Sequence, residues 1–128
     1  MPKQQTHQTI DATLCGEPIL LEPGRASVAL TTHPSMAADE SGLVHGGFIF
    51  GLADYAAMLA INHPNVVLGS ASSKFLRPTV TGAHLVADAT VTRQAAKKTT
   101  VHVCVTEDGA PVFEGEFVCF TPDQHVLA

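Results

Sequence analysis

A chain of 128 residues has the length of one domain built on one hydrophobic core. Hydrophobic residues make up 45% and charged residues 15%, too apolar for intrinsic disorder and too interrupted by Gly and Pro for a long coiled coil. The net charge of −5 argues against duplex binding, which comes chiefly from Lys and Arg on phosphates, so no nucleic-acid partner is expected.

The opening Met1–Gln8 is polar and has no apolar signal region, which points to a cytoplasmic protein. Residues 1–20 form a weakly patterned N-terminal segment of a single domain, 1–128, with no more than a frayed start or a short helix before Glu22-Pro23-Gly24. Arg25 to Thr32 alternates, with Ala26, Val28 and Leu30 on one face, and predicts a strand. His33 to Gly42 carries turn chemistry and predicts a loop long enough to suspect a role in function.

From Gly46-Gly47 the run to Ile61 is rich in Ala, Leu and Met and predicts a helix that Asn62-His63-Pro64 stops. Its apolar stretch, Phe48 to Ile61, holds an acid and falls short of the roughly 20 residues a bilayer demands, so no membrane partner is expected. A helix apolar all round must be wrapped by something. The rest reads as four strands: Val66 to Leu76, His84 to Arg93, Thr99 to Glu107, and Val112 to Thr121 after the hairpin signal Asp108-Gly109. Strands so closely linked imply a largely antiparallel sheet curled around the one long central helix, an α+β fold. Cys15, Cys104 and Cys119 are odd in number, lack C-x-x-C spacing and are expected to be reduced thiols in the core.

Asp54 is the one charged side chain between Gly46 and Ile61, with no cation on the same helix. A buried carboxylate without a partner is costly unless hydrogen-bonded, solvated by a cleft or shifted in pKa. The alternatives are that it caps a neighbouring loop or lies on a narrow exposed stripe beside Tyr55. Upstream, Leu43-Val44-His45-Gly46-Gly47 leads into the helix start, where free N–H groups and the positive dipole end can bind an oxyanion. The glycine pair can equally serve helix–strand packing, and His45 can orient the turn.

Glu22-Pro23-Gly24-Arg25-Ala26, Val44-His45-Gly46-Gly47, Leu52-Ala53-Asp54 and Phe75-Leu76-Arg77-Pro78, in this order of elements, resemble the hotdog-fold acyl-CoA thioesterases, in the branch of the phenylacetic-acid-pathway (PaaI-like) enzymes. The resemblance covers residues 20–121 and implies a hotdog fold and hydrolysis of an acyl-CoA to free acid and coenzyme A. It makes Asp54 the general base or nucleophile, and the backbone N–H of Gly46, helped by Gly47, the group that polarises the carbonyl. His45 and Asp39 complete the candidate catalytic set, although many relatives carry Asn where this chain has Asp39, and an anion cannot donate that amide hydrogen bond. The resemblance also implies a hydroxyl from the following strand. Ser70, Ser72 and Ser73 are candidates, and Ser70 and Ser72 are expected to bind substrate.

Helix geometry constrains how Gly46 and Asp54 can cooperate. Eight residues at about 1.5 Å rise separate their backbones by some 12 Å, and the side chain recovers only about 2–3 Å of that. One chain cannot bring both to one carbonyl, so a homodimer is the minimum unit, and the family habit extends it to a homotetramer. Residues 74–98 hold Lys74, Arg77, Arg93, Lys97 and Lys98 against the single acid Asp88, which suits the phosphates of coenzyme A, and a protected strand edge equally well.

The seven histidines lack metal-ligand spacing, and no G-x-S-x-G elbow is present, so neither a metal nor a serine nucleophile is expected. No cofactor is implied; coenzyme A enters as part of the substrate. A non-catalytic acyl-CoA-binding module is the alternative function.

Overall fold

The structure, a computed structural model, describes residues 1–128. Six strands form one sheet: β1 (Glu17–Glu22), β2 (Arg25–Thr31), β3 (Val67–Phe75), β4 (His84–Ala95), β5 (Lys98–Glu107) and β6 (Ala110–Phe120). They lie in the order β1-β2-β4-β5-β6-β3, and every pairing is antiparallel. A short helix, α1 (Ala12–Cys15), precedes β1, and a long one, α2 (Gly46–Ile61), connects β2 to β3. The sheet curls around α2, the hotdog arrangement. No helix is long and apolar enough to cross a membrane.

The bounds of α2 coincide with the glycine pair and with Asn62, whose left-handed backbone (φ 53°) closes the last turn through its N–H to the Met58 carbonyl. Alternation along the strands supplies the inner layer. Val28 and Leu30 of β2, Leu85 and Ala87 of β4, Val101, Val103 and Val105 of β5, and Phe113 and Phe117 of β6 are all buried with Leu52, Ala56 and Leu59 of α2. The sheet leaves one stripe of the helix partly open: Gly47, Phe50, Gly51 and Asp54.

The N-terminal segment is more ordered than its sequence suggests. Asp11 caps α1, accepting from the N–H and hydroxyl of Thr13 at 2.9 and 2.6 Å. β1 then pairs with β2, and a bulge between Pro18 and Leu20 interrupts its register. That bulge hides the period on which a strand assignment depends, because Ile19, Leu20 and Leu21 run together. Gly16 turns the chain between α1 and β1 at φ 96°, and a Cβ there would lie 2.7 Å from the Ala29 carbonyl oxygen. Gly16→Ala therefore combines backbone strain with a collision against a strand. It is expected to cost about 2–4 kcal/mol in a urea unfolding titration.

The cysteines divide differently from the expectation. Cys119 is fully buried in the core and Cys15 packs against it half-buried, whereas Cys104 lies on the outer face of β5, half-covered, between Asp88 and Glu114. All three are free, and burial pushes their thiols upward, that of Cys119 to about 12, which makes them poor nucleophiles.

Candidate active site

Backbone bonds tie the loop before α2 to the rest of the chain. Val44 N–H donates to the Thr79 carbonyl at 2.8 Å, His45 N–H to Met36 at 2.9 Å, and Leu43 bridges to Val80. Asp39 braces the turn at the loop's tip, its carboxylate accepting from the N–H groups of Ser41 (2.9 Å) and Leu43 (3.4 Å). It is exposed and joined to neither Gly46 nor Asp54.

His45 occupies the N-cap in an extended conformation (φ −63°, ψ 131°), and its side chain makes no capping bond. Its ring is exposed and stands edge-on to Phe48, with centroids 6.1 Å apart. The N–H groups of Gly46 and Gly47 are left without protein acceptors at the positive end of the helix. Beside them opens a cleft of about 310 Å³, lined by Leu43, Ile49, Phe75, Leu76, Arg77 and Thr79 among others. The Phe75 ring forms its wall: a Cβ on Gly46 would lie 3.1 Å from that ring, so glycine lets the two pack this closely.

Asp54 lies on the open stripe of α2, two turns beyond. Its Oδ1 is sealed from solvent and accepts no hydrogen bond, and no cation pairs with the carboxylate. It caps no loop, and neighbouring Tyr55 is buried rather than exposed. Desolvation raises its pKa to about 6. The carboxylate is also close enough to push the thiols of Cys15 and Cys119 upward. An acid near neutrality with an unused buried oxygen is suited to taking a proton or attacking a carbonyl.

The two ends of the site lie at different levels of the sheet. Gly46 sits against Phe75, which pairs with Phe113. Phe50, one turn before Asp54, touches Phe117, which pairs with Ala71; Cys119 pairs with Leu68. The eight residues that separate the two groups along α2 thus run alongside β3 from the level of Phe75 toward that of Leu68 and Ala71.

β3 also sorts the serines. A bulge at Gly69, between Leu68 and Ser70, reverses the alternation. Ser73 pairs with buried Gly115 and shares the helix side with Ala71 and Phe75, whereas Ser70 and Ser72 pair with Val118 and Glu116 on the outer face. Of the three candidate serines, Ser73 is thus the one on the helix side of the sheet.

The basic residues fall into two groups. Lys74 and Arg77 stand at the Gly46 end, while Arg93, Lys97 and Lys98 stand near the turn that pairs with Val118–Phe120, at the Asp54 end. Lys97 is ion-paired with Asp123 at 2.7 Å. No group of three or more His, Cys, Asp or Glu could hold a metal ion.

Sequence reasoning missed Thr79. It is 1% exposed, and its hydroxyl is the one other sealed side-chain atom without a hydrogen-bond partner. Nothing in a Thr after Arg77-Pro78 signals this; only the tertiary packing seals it.

Comparison with known proteins places these features in a family. The thioesterase superfamily model matches residues 41–114, the segment from the loop before α2 to β6. The chain superposes on an uncharacterized protein from Pyrococcus horikoshii with TM-score 0.98 and 48% identity, over 99% of this chain and 98% of that one. It superposes on an asparagine-to-aspartate variant of the phenylacetic acid degradation protein PaaI from Thermus thermophilus with TM-score 0.79 and 31% identity, over 85% and 95%. Among curated proteins it is 50% identical over 113 residues to a methylthioribose-1-phosphate isomerase of Aquifex aeolicus, covering 88% of this chain and 25% of that protein. It is 31% identical over 125 residues to the transcription factor FapR of Thermoanaerobacter sp., covering 96% and 62%. The chain thus spans between a quarter and about three-fifths of the length of these curated relatives. With its curled sheet, its His-Gly-Gly helix start and its half-buried acid, the chain belongs to the thioesterase superfamily, in the hotdog-fold, PaaI-like branch.

Proposed function

We propose that this chain hydrolyses acyl-CoA thioesters as a homodimer, each site pairing Asp54 of one subunit with Gly46 of the other. The observation that carries this is the sealed, unpartnered Oδ1 of Asp54 on a stripe of α2 that the chain's own sheet leaves open. Next to that stripe, β3 is an edge strand, bonded only to β6 and exposed from Gly69 to Phe75. Such an edge pairs readily with another strand.

Antiparallel pairing of β3 with its copy, centred near Ser72, swaps the two levels described above. It sets Gly46 of the partner subunit at the Leu68–Ala71 level, where Asp54 stands. The same two-fold brings Arg77 of the partner subunit to the end that carries Arg93, Lys97 and Lys98, collecting the positive charge where coenzyme A phosphates would lie.

Within this site the Gly46 N–H, supported by Gly47, polarises the thioester carbonyl and holds the oxyanion. The ionised Asp54 takes a proton from the attacking water, or attacks the carbonyl carbon itself. When water attacks, the C–O bond of the free acid forms as the C–S bond breaks, and the coenzyme A thiolate leaves and takes the proton that Asp54 removed; when Asp54 attacks, the thiolate leaves an acyl–Asp54 anhydride, which water then hydrolyses to the free acid and the restored carboxylate. His45 and Asp39 shape the loop that presents Gly46.

The identity with a transcription factor supports a second reading, a module that holds an acyl-CoA without turnover. Thiol release from a panel of acyl-CoAs separates the two: hydrolysis supports the enzyme, and binding without release supports the module. Arg77 provides a finer check. Arg77→Ala is expected to raise KM for an acyl-CoA by about 3–10-fold and to leave KM for the matching N-acetylcysteamine thioester, which has no phosphates, unchanged. An equal change for both would remove Arg77 from phosphate binding.

A further inference from the structure

We propose that the Thr79 hydroxyl is a second hydrogen-bond donor to the thioester carbonyl, acting beside the Gly46 N–H. This rests on the thioesterase proposal above and adds a residue to its site. Two side-chain atoms in the whole molecule are sealed without a hydrogen-bond partner, Asp54 Oδ1 and Thr79 Oγ1. A buried orphan of this kind costs about 1–3 kcal/mol, a cost that a bound ligand's acceptor would remove.

Thr79 is 1% exposed and lines the same cleft as Gly46, Ile49 and Phe75. Its carbonyl is occupied by Val44 N–H, two residues before Gly46, so its backbone is fixed relative to the helix start. The remaining side chains of the cleft that reach Gly46 are apolar, apart from the exposed Arg77. Thr79 is therefore the one neutral side-chain donor among the residues that line the cleft. A hydroxyl has one proton to give and no protein acceptor competes for it, which suits a carbonyl oxygen that gains negative charge as the thioester is attacked.

The test is steady-state kinetics on an acyl-CoA that the wild type cleaves, with Thr79→Val, Thr79→Ser and Asp54→Asn measured together and their melting temperatures recorded. Thr79→Val keeps the shape and removes the hydroxyl. It is expected to lower kcat by about 10–100-fold with KM changed less than about threefold, to melt no lower than the wild type, and to dimerise normally. Thr79→Ser is expected to recover most of the rate. Wild-type kcat in Thr79→Val would overturn the proposal while leaving the thioesterase standing. So would a loss of melting temperature or of dimer with kcat per dimer preserved, which would make Thr79 a structural residue. A wild type inactive on every thioester would instead remove the enzyme reading, and this role with it.

Discussion

Asp54→Asn is expected to lower kcat/KM for an acyl-CoA by roughly 10²–10⁴-fold while making the protein more stable at pH 8. The loss follows from removing the only ionisable group on the open stripe of α2. The gain follows from linkage. Desolvation raises the folded pKa of Asp54 to about 6 from the ordinary 3.8, so folding favours the protonated form. The stability tied to this proton is fully present below pH 3.8 and is lost as pH rises through about 6. By pH 8 the ionised carboxylate has cost the wild type about 3 kcal/mol. Asn carries no charge, so it recovers about 1–3 kcal/mol of this, less the cost of its own buried amide. The gain should fade as pH falls toward 4. The kcat/KM profile of the wild type should fall on the acid side with an apparent pKa of about 6, because Asp54 must be ionised to act. Urea titrations at pH 4 and pH 8 check the sign. A variant less stable than the wild type at pH 8 would show that Asp54 makes a favourable contact in the assembled protein.

Gly46→Pro is the second large effect, about 10²–10³-fold in kcat with the fold retained. Proline at the first helical position removes an N–H that no protein group uses. The extended His45 (φ −63°, ψ 131°) already has the backbone that a following proline requires. The proline Cβ meets the edge of the Phe75 ring at 3.1 Å, the same contact an alanine makes. Gly46→Ala is the control. It makes the same contact at 3.1 Å but keeps the N–H, and should lose less than about tenfold. Equal losses in both variants would assign the effect to crowding rather than to the missing donor.

Much of the fold and site is legible in the sequence because the signals are local. The glycine pair and Asn62-His63-Pro64 bracket α2, and the lack of any cation on the same helix singles out Asp54 from the residue order alone. Alternation marks β2, β4, β5 and β6 to within a few residues. What stays hidden depends on irregularity or on distant packing. The bulges at Pro18/Leu20 and Leu68/Ser70 each shift a strand by one residue, which conceals β1 and turns Ser70 and Ser72 to the outer face. The division of the basic residues between two ends of the sheet is a matter of strand register over long hairpins. Thr79 becomes visible only once the cleft beside Gly46 is closed around it.

The shared site is tested most directly by mixing two dead subunits. Asp54→Asn and Gly46→Pro, refolded or co-expressed together at equal ratio, should yield dimers of which about half are mixed, and each mixed dimer holds one intact site of two. Thiol release should recover to about a quarter of the wild-type value per subunit, while each variant alone stays inactive. Activity that remains at the level of the separate variants, with mixed dimers demonstrably formed, would contradict a site built from both chains.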